Sequence, residues 1–401
     1  MKEIAEVFEF VRNGASIKQE EGKSGIPITR IETIWNKTID QNRLGYADLD
    51  KSDLSKYDKY LLQHGDILMT HINSPKHLGK CAMYEGKPEK LVHGMNLLCL
   101  RPNVSKAIPT YLKYFFNSEF FKIQLPKIAN QSVNQASFSA GNLKKLKIPL
   151  PPLPTQKKIA SILDAADAYR EKTKALIEKY DELTQSLFLD MFGDPVVNEK
   201  GWEKKELKEI TIKIGSGSTP SGGKKAYKDE GISLIRSLNV HDNYFKFKNL
   251  AFIDEEQAHK LKNVIVKSKD VLFNITGASV CRCCIIPDEI LPARVNQHVS
   301  ILRPNSKLLN SIFLMYCLIS KNTKLNLLGI GGKGGATREA ITKSDLESFG
   351  IIIPSKSLQN QFAERVQKIE AQKAQAQESL EKAEELFNSL LGRAFKGELS
   401  I

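Results

Sequence analysis

The stretch IASILDAADAYREKTKALIEKYDELTQSL, residues Ile159–Leu187, decides how the rest of the chain is organised. Its apolar and small residues recur at alternating steps of three and four, which is the seam pattern of a coiled coil. Nothing interrupts the amphipathic pattern, and no catalytic motif lies within it. A seam of about four heptads is too long for a helix buried inside a small domain, so it predicts a partner helix.

The partner is found in the same chain, because the sequence repeats itself. Gln156 aligns with Gln359 at an offset of 203 residues, and the match runs without a gap to Phe192. Upstream the similarity is weaker but keeps its order, and the motif LRPN occurs at 100–103 and again at 302–305. A basic domain followed by a helix is therefore present twice.

We expect the two helices to pair with each other and to run antiparallel, so that each starts at its own domain and ends near the other. The alternative is that each helix packs only on its own domain. The predicted residues of the helix-pair interface are Ile159, Ile162, Ala166, Tyr169, Leu176, Tyr180, Leu183 and Leu187 in the first helix, and Phe362, Val366, Ile369, Leu380, Ala383, Phe387 and Leu390 in the second.

The positive charge is concentrated outside the helices. Residues 1–150 carry 22 Lys and Arg against 15 Asp and Glu, and residues 197–354 carry 24 against 16. Since the net charge of the whole chain is +13, the two helical segments are close to neutral. Two separate basic blocks are typical of a protein that contacts a polyanion at two places, although Lys-rich solubility would produce the same excess.

The predicted elements within each basic block are short strands mixed with helices. GDILMTHI, NLLCLRP, DVLFNITG and VSILRPN read as strands, and PTYLKYFFNSEFFKIQL and NSIFLMYCLIS as helices. The fold class is therefore α+β, with two similar α+β domains separated by two long antiparallel coiled-coil helices in a pseudo-twofold repeat. The predicted segments are a first domain at 1–150, a helix at 151–196, a second domain at 197–354 and a helix at 355–401.

Composition excludes several classes of protein. Glu3, Glu6 and Glu9 interrupt the N-terminal apolar run, which is inconsistent with a signal peptide, and no stretch approaches the ~18 apolar residues of a membrane span. The six cysteines do not have the spacing of a disulfide framework. We therefore expect a cytoplasmic protein with no membrane association.

Three short motifs could carry chemistry, and each has a simpler interpretation. IKIGSGSTP (Ile212–Pro220) lacks the third glycine and the acidic residue of a dinucleotide loop, and reads as a turn. GIGGKGGATRE (Gly329–Glu339) lacks the Gly-Lys-Ser/Thr of a phosphate loop, and is either a basic loop touching phosphate or a plain turn. CRCC (Cys281–Cys284) offers too few ligands for zinc, which favours buried apolar cysteines. We predict no catalytic residue, no metal site and no cofactor.

Longer segments carry a family resemblance. From Gly201 the second half contains GWEKKELKEITIKIGSGSTPS, YKDEGISLIRSLNV, DVLFNITGASV, VNQHVSILRPN, GGATREAITKSDLESFGIIIP and LFNSLLGRAFKGEL in this order. They resemble the specificity (S) subunit of type I restriction-modification systems. IPLPPLPTQKKIASILDAADAYREKTKALIEKYDELTQSLFLDMFGDP resembles the central conserved region of the same family. The similar segments cover most of the chain.

The resemblance implies a subunit that is not an enzyme. It implies two target recognition domains that each read half of a split, asymmetric sequence in double-stranded DNA. The two conserved helices would hold these domains apart and dock methyltransferase (modification) subunits, two of them, which bind S-adenosylmethionine. A restriction subunit that uses ATP would join the full complex.

Candidate DNA contacts follow from residue type and loop context, since basic and amide side chains contact phosphates and base edges. In the first domain they are Lys18, Lys23, Arg30, Arg43, Lys76, Lys80, Asn134 and Gln135. In the second they are Lys224, Lys225, Arg236, Asn239, Lys246, Arg282, Lys333 and Arg338. A solvated surface role is the alternative for each residue.

Two other functions are compatible with the residues. One is a self-contained DNA methyltransferase or nuclease, and the other is a coiled-coil scaffold that does not bind DNA. Gln156 to Asp190 would span roughly 52 Å as a helix, whereas one turn of DNA is about 34–36 Å. This length favours a spacer between two DNA-reading domains.

Overall fold

The chain forms two compact units in the computed structural model. The structure describes residues 1–19, 25–48, 51–220, 222–331 and 340–399. Unit 1 consists of Met1–Lys174 and Glu378–Ile401, and unit 2 consists of Ala175–Gln377. Each unit thus combines one α+β domain with half of each long helix.

Unit 1 is built around a four-stranded antiparallel sheet in the order β2-β10-β7-β9. Its strands are β1 (Lys2–Glu3), β2 (Phe8–Asn13), β3 (Ile26–Ile28), β4 (Ile34–Trp35), β5 (Thr38–Ile39), β6 (Gly45–Ala47), β7 (Ile67–Thr70), β8 (Ile72–Asn73), β9 (Cys81–Met83), β10 (Leu97–Pro102), β11 (Asn130–Gln131), β12 (Ala136–Ser137) and β13 (Lys147–Ile148). Its helices are α1 (Ile4–Val7), α2 (Pro109–Asn117), α3 (Glu119–Lys122) and α4 (Ala140–Lys144), followed by the long helix α5 (Leu153–Phe192).

Unit 2 repeats that sheet as β15-β21-β18-β19. Its strands are β14 (Lys204–Glu206), β15 (Thr211–Ser216), β16 (Ile232–Ile235), β17 (Ala251–Ile253), β18 (Val271–Asn274), β19 (Cys283–Ile285), β20 (Ala293–Val295), β21 (Val299–Pro304) and β22 (Gly350–Ile352). Its helices are α6 (Leu207–Ile210), α7 (Glu255–Lys260), α8 (Ser311–Ile319), α9 (Lys321–Gly331) and α10 (Lys343–Glu347), followed by the long helix α11 (Lys356–Lys396).

The predicted α+β class, the internal repeat and the apolar strands are confirmed. β7, β10, β18 and β21 lie in the four quoted strand segments. The helix predicted from PTYLKYFFNSEFFKIQL is interrupted at Ser118, which has an extended backbone. The Ser118 hydroxyl accepts a hydrogen bond from the backbone amide of Phe121 at 3.3 Å, so it caps α3 and separates it from α2.

A buried ion pair recurs in the sheet of each unit. Arg101 of the first LRPN motif forms a bidentate pair with the buried Asp66, at 2.8 and 2.7 Å. Arg303 of the second LRPN motif pairs in the same way with Asp270, at 2.7 Å in both bonds. The motif that revealed the repeat is therefore part of the structural frame, because removing either partner would leave a buried charge uncompensated.

A buried glutamine ties the start of α5 to the loop before α2. Gln156 is fully buried, and its Oε1 accepts a hydrogen bond from the backbone amide of Ile108 at 2.9 Å. Its Nε2 donates to the carbonyls of Lys106 at 3.0 Å and Pro151 at 2.8 Å. Three backbone groups of the domain and its linker are thereby satisfied by one helix side chain.

Gln359 repeats this arrangement at the start of α11, and it is also fully buried. Its partners are the amide of Asn310 at 2.9 Å, the carbonyl of Leu308 at 3.2 Å and the carbonyl of Pro354 at 2.9 Å. We call Gln156 and Gln359 the glutamine clamps. They fix each long helix to the domain that precedes it in the chain.

The ends of the helices pack against the opposite domain. In unit 1, Phe395 of α11 lies 5.2 Å from Tyr111 and 5.5 Å from Phe115, both of α2, between ring centroids. In unit 2, Phe192 of α5 lies 4.8 Å from Phe313 of α8. The aromatic residue near the end of each helix thus lies in the core of the domain that the helix does not follow in sequence.

The two helices run antiparallel, as predicted. In unit 1, Lys174 of α5 pairs with Glu384 of α11 at 3.5 Å. In unit 2, Phe188 of α5 lies 5.5 Å from Phe362 of α11, between ring centroids. In unit 2, residues late in α5 therefore contact residues early in α11. In unit 1, the earlier half of α5 contacts the later half of α11. The alternative to this pairing, in which each helix packs only on its own domain, is wrong.

The position of the seam on α5 differs from the prediction. Four predicted seam residues are instead exposed, namely Ile162 (37%), Tyr169 (56%), Leu176 (43%) and Leu183 (51%). Leu163 and Thr184, each one residue further on, are buried. The remaining predicted interface residues are buried or half-buried. The seam shifts because α5 packs on the domains as well as on α11, and this double contact selects a different stripe of the helix.

None of the helices that the structure describes combines the length and the apolar character needed to cross a membrane.

Removing the glutamine clamp should destabilise unit 2. Gln359→Ala leaves the amide of Asn310 and the carbonyl of Pro354 without their side-chain partner. Buried unsatisfied groups cost about 1–3 kcal/mol each, so we expect a loss of roughly 2–4 kcal/mol in the free energy of unfolding, measured by chemical denaturation. Gln361→Ala, at an exposed position two residues later, is the control. Equal stability of the two variants would contradict the clamp.

Adjacent residues of α5 should differ sharply in their effect on stability. Leu163 is fully buried, whereas Ile162 is partly exposed. Leu163→Ala should cost about 2–5 kcal/mol of unfolding free energy because it leaves a cavity, and Ile162→Ala should cost less than ~1 kcal/mol. Thermal or urea unfolding of the two variants checks the observed seam. The reverse order would support the predicted seam.

Candidate nucleic-acid interface

Most candidate DNA contacts of unit 1 lie on exposed loops. Lys18, Lys76, Lys80, Asn134 and Gln135 are all exposed. Lys23 lies outside the described residues. Asn134 and Gln135 belong to the turn between β11 and β12, where the hydroxyl of Ser132 donates to the carbonyl of Gln135 at 3.0 Å. Their amide side chains are thus presented by a short hairpin.

The two arginine candidates of unit 1 are held by neighbours. Arg30 donates from Nε to the side-chain oxygen of Gln19. Arg43 pairs with Asp40 at 2.9 Å, and its guanidinium lies 3.9 Å from the ring centroid of Trp35. Trp35 is itself exposed, so Arg43 and Trp35 form a cationic and aromatic surface that the structure brings together.

A lysine-lined cavity lies beside these loops in unit 1. It has a volume of about 450 Å³ and is lined by Lys76 and Lys80. Lys37 and Lys122 also line it, although sequence reasoning did not select them. They lie far apart in sequence and belong to no motif, so no sequence signal could have identified them as neighbours of Lys76.

The candidates of unit 2 differ in what the structure describes of them. Lys333 and Arg338 lie outside the described residues, and the same holds for the side chain of Lys224. Lys225 is exposed. Arg236 is half-buried, and its guanidinium donates to the carbonyl of Asn249 and lies 5.1 Å from the ring centroid of Tyr227.

Asn239 does not lie on a DNA-accessible surface. It is fully buried, its Oδ1 accepts from the backbone amide of Arg236 at 3.1 Å, and its Nδ2 donates to the carbonyl of Lys246 at 2.9 Å. Thr33 has the corresponding role in unit 1, where its hydroxyl accepts from the amide of Arg30 at 2.8 Å. Asn239 therefore belongs to the framework of its loop, and its selection as a DNA contact is corrected.

Two remaining candidates of unit 2 line one groove. Lys246 and Arg282 lie far apart in sequence, and the structure brings them together in a groove of about 660 Å³. We call it the unit 2 groove, defined by His241, Lys246, Thr276, Ser279, Arg282 and His298. Its lining includes the cationic side chains of Lys246 and Arg282 beside hydroxyl and imidazole groups, which suits contact with phosphates and with the acceptor atoms of bases. Neither histidine was selected from the sequence, although His298 lies in the quoted family-like segment VNQHVSILRPN.

A buried asparagine at the end of β18 holds the groove together. Asn274 is fully buried, and its Nδ2 donates to the carbonyl of Ser237 at 3.0 Å and to the hydroxyl of Ser279 at 3.2 Å. These partners lie on two different loops of the groove. On a third loop, His298 contacts the Thr276 hydroxyl through Nδ1 at 2.6 Å. The groove is thus built from loops that are fixed by side-chain hydrogen bonds.

The electrostatics of the groove keep one histidine neutral. Burial lowers the pKa of His241, and the positive charge of Arg282 lowers it further. A neutral ring can accept a hydrogen bond, and Nη1 of Arg282 lies 3.4 Å from Nδ1 of His241. The ring of His241 also stacks on Tyr244, with the centroids 4.6 Å apart. His241 therefore orients the guanidinium without neutralising its charge.

The cysteines of CRCC are buried, as their apolar interpretation expected. Cys281, Cys283 and Cys284 are buried, and none is in a disulfide. Burial raises the pKa of the Cys284 thiol to about 12, so the thiolate form is disfavoured at neutral pH. Within the part of the chain that the structure describes, no three His, Cys, Asp or Glu residues are grouped in a way that could hold a metal ion.

The chain is similar to known proteins over nearly its whole length. The family model of the type I restriction modification DNA specificity domain matches residues 1–179 and again residues 199–385. A Methanocaldococcus jannaschii protein named provisionally as the type I restriction enzyme MjaX specificity subunit is 34% identical, over 98% of this chain and 92% of that protein. The type I restriction enzyme EcoBI specificity subunit of Escherichia coli is 24% identical, over 78% and 74% of the two chains.

Two solved structures share the fold at low sequence identity. A chain from the structure of a type I R-M system complex aligns with a TM-score of 0.60 at 17% identity, covering 99% of this chain and 97% of its own. The S subunit of the type I restriction-modification system from M. genitalium aligns with a TM-score of 0.58 at 14% identity, covering 98% and 95%. These similarities support the overall fold described above.

Replacing Arg282 should raise the pKa of His241. In Arg282→Gln one positive charge near the ring is lost, so protonation of His241 becomes less unfavourable. The pKa should therefore rise toward its usual value, but remain below it because burial is the larger cause. An NMR titration of histidine-labelled protein measures the shift. Lys260→Gln, which removes an exposed charge on α7, should leave it unchanged. An unshifted His241 in Arg282→Gln would contradict the described contact.

Proposed function

The chain belongs to the family of type I restriction-modification DNA specificity subunits, and we propose that it supplies DNA recognition to such a system without catalysing a reaction itself. The segments 1–150 and 197–354 act as two target recognition domains. Each domain reads one half of a split target in double-stranded DNA. The observation that carries this proposal is a frame that is repeated in both units beneath loops that differ between them.

The repeated frame consists of buried polar interactions. The pairs Asp66–Arg101 and Asp270–Arg303 have the same geometry, and so do the two glutamine clamps. Such groups cannot be exchanged singly without leaving a buried charge or an unsatisfied donor. A frame of this kind supports variable loops, since its stability does not depend on which side chains the loops present.

The loops above the frame present different chemistry in the two units. His298, which lines the unit 2 groove, precedes the first residue of β21, and Asn96 precedes the first residue of the equivalent strand β10. Arg282 precedes β19, whereas Lys80 precedes β9. The arginine fork, the lysine ammonium, the histidine ring and the asparagine amide present different arrangements of donors and acceptors to base edges. The two half-sites should therefore differ in sequence, which makes the target asymmetric.

The excess charge supports binding to DNA. Both recognition segments are strongly basic, and the two helical segments are not. Lysines and arginines that contact phosphates release counterions, which drives binding and makes it depend on salt. The excess charge lies in the two segments that carry the variable loops, and this location favours DNA binding over a scaffold that does not bind DNA.

The long helices set the spacing of the half-sites. Helix α5 has 40 residues, which corresponds to about 60 Å at ~1.5 Å per residue. Its first half belongs to unit 1 and its second half to unit 2. The exposed Ile162, Tyr169, Leu176 and Leu183 recur every seven residues, so they form a stripe on one flank of α5. We assign the docking of two methyltransferase subunits to the helices, and a restriction subunit completes the complex.

Lengthening both helices should lengthen the spacer of the target. One heptad is inserted after Ile177 of α5 and one after Glu378 of α11, which preserves the seam of both helices. Seven residues add about 10 Å, and base pairs are ~3.4 Å apart. The unread spacer should therefore grow by about three base pairs, while both half-sites stay the same. Sequencing of methylated sites in cells that carry the complete system measures the target.

The length-preserving variant Gln361→Ala is the control for this experiment and should keep the original spacer. An unchanged spacer in the lengthened protein would contradict the role of the helices. Methyl transfer from labelled S-adenosylmethionine to DNA by the purified chain alone would contradict its non-catalytic role. An absence of salt-dependent DNA binding would support the scaffold function instead.

A further inference from the structure

The guanidinium of Arg282 is unusual among the partly buried arginines of the protein. Arg303 is neutralised by Asp270, and Arg236 donates to the carbonyl of Asn249. Among the described residues, Arg282 has neither a carboxylate within ion-pair distance nor a carbonyl acceptor, and its hydrogen-bond partner is the ring of His241. A half-buried cation with unused donors in an open groove is suited to an external acceptor.

The backbone holds Arg282 firmly at this position. Its amide donates to the carbonyl of Ser279 at 3.2 Å, and its carbonyl accepts from the amide of Asn274 at 2.8 Å. The preceding residue, Cys281, has a left-handed backbone with φ 65°, and it is buried. Buried Cys283 follows directly. Arg282 therefore projects from a tight turn whose two neighbours are anchored in the core.

On this basis, and resting on the proposed function, we propose that Arg282 reads a guanine of the half-site recognised by unit 2. The planar guanidinium would donate two parallel hydrogen bonds to O6 and N7 of the guanine in the major groove. This arrangement uses the fixed fork of donors that distinguishes arginine from lysine. Arg282 is then a specificity-determining residue of the complex.

Two observations favour a base edge over a phosphate as the partner. Arg282 is half-buried within the groove, whereas Lys246, which lines the same groove, is exposed. An exposed lysine is suited to phosphate contact, which requires reach and charge but little orientation. The contact of Arg282 with His241, and the stacking of that ring on Tyr244, restrict the plane of the guanidinium. A fixed plane is needed for bidentate recognition of a base.

The test maps methylated sites in cells that carry the complete system with wild-type chain, Arg282→Gln or Arg282→Lys. In the wild type, one half of the motif should contain a required guanine. In both variants, discrimination for guanine at that single position should fall by roughly 10- to 100-fold. The other positions, the second half-site and the spacer should be retained. Lys260→Gln removes an exposed charge from unit 2 and should keep the full motif.

Arg282→Lys separates a contact that needs only positive charge from one that needs the planar fork of donors. A phosphate contact would be largely preserved by lysine, so a wild-type motif in Arg282→Lys would overturn the proposal. An even loss of methylation at all sites in Arg282→Gln, with no position relaxed, would overturn it too. If Arg282→Gln fails to accumulate as folded protein, Arg282→Lys alone decides between these outcomes. A wild-type motif that is not split would instead contradict the proposed function itself.

Discussion

The architecture depends on one buried side chain in the first turn of each long helix. Gln156 and Gln359 each satisfy backbone groups in the loop before a domain helix and in the linker that starts the long helix. Because these groups are buried, they cannot bond to water instead, and the direction of the helix is fixed where it leaves its domain. A helix that leaves in a fixed direction can be used as a spacer, whereas one on a loose hinge could not.

The second constraint is the aromatic packing at the far end of each helix. Phe395 packs on α2, and Phe192 packs on α8. The start and the end of each helix are therefore held by different kinds of interaction. The start is fixed by directional hydrogen bonds, and the end by apolar burial that tolerates small adjustments. Each domain core thus contains residues from both helices, which makes the folding of the domains and the pairing of the helices interdependent.

The sequence predicted the repeat and the fold class well and the position of the helix seam less well. The repeat, the α+β class and the antiparallel pair follow from aligned motifs and from periodicity, which are properties of the whole chain. Thr173 and Thr184 of α5 are both buried, and an apolar pattern selects the neighbouring Leu183 in place of Thr184. The two threonine hydroxyls donate to the carbonyls of Tyr169 and Tyr180 at 2.8 and 2.9 Å, so the polar groups are satisfied within the helix.

The candidate interface shows a different limit of sequence reasoning. Asn239 and Arg282 were equivalent choices by residue type and loop context, yet one is a buried framework residue bonded to backbone groups and the other has donors free for a ligand. The difference depends on Asn274, which brings loops that are distant in sequence to one place. Framework asparagines and base-reading side chains share the same chemistry, and only their hydrogen-bond partners distinguish them. Divergence between the units can therefore change the donors that a loop presents without disturbing the frame, and the guanidinium of Arg282, whose hydrogen-bond partner is the ring of His241, is such a donor.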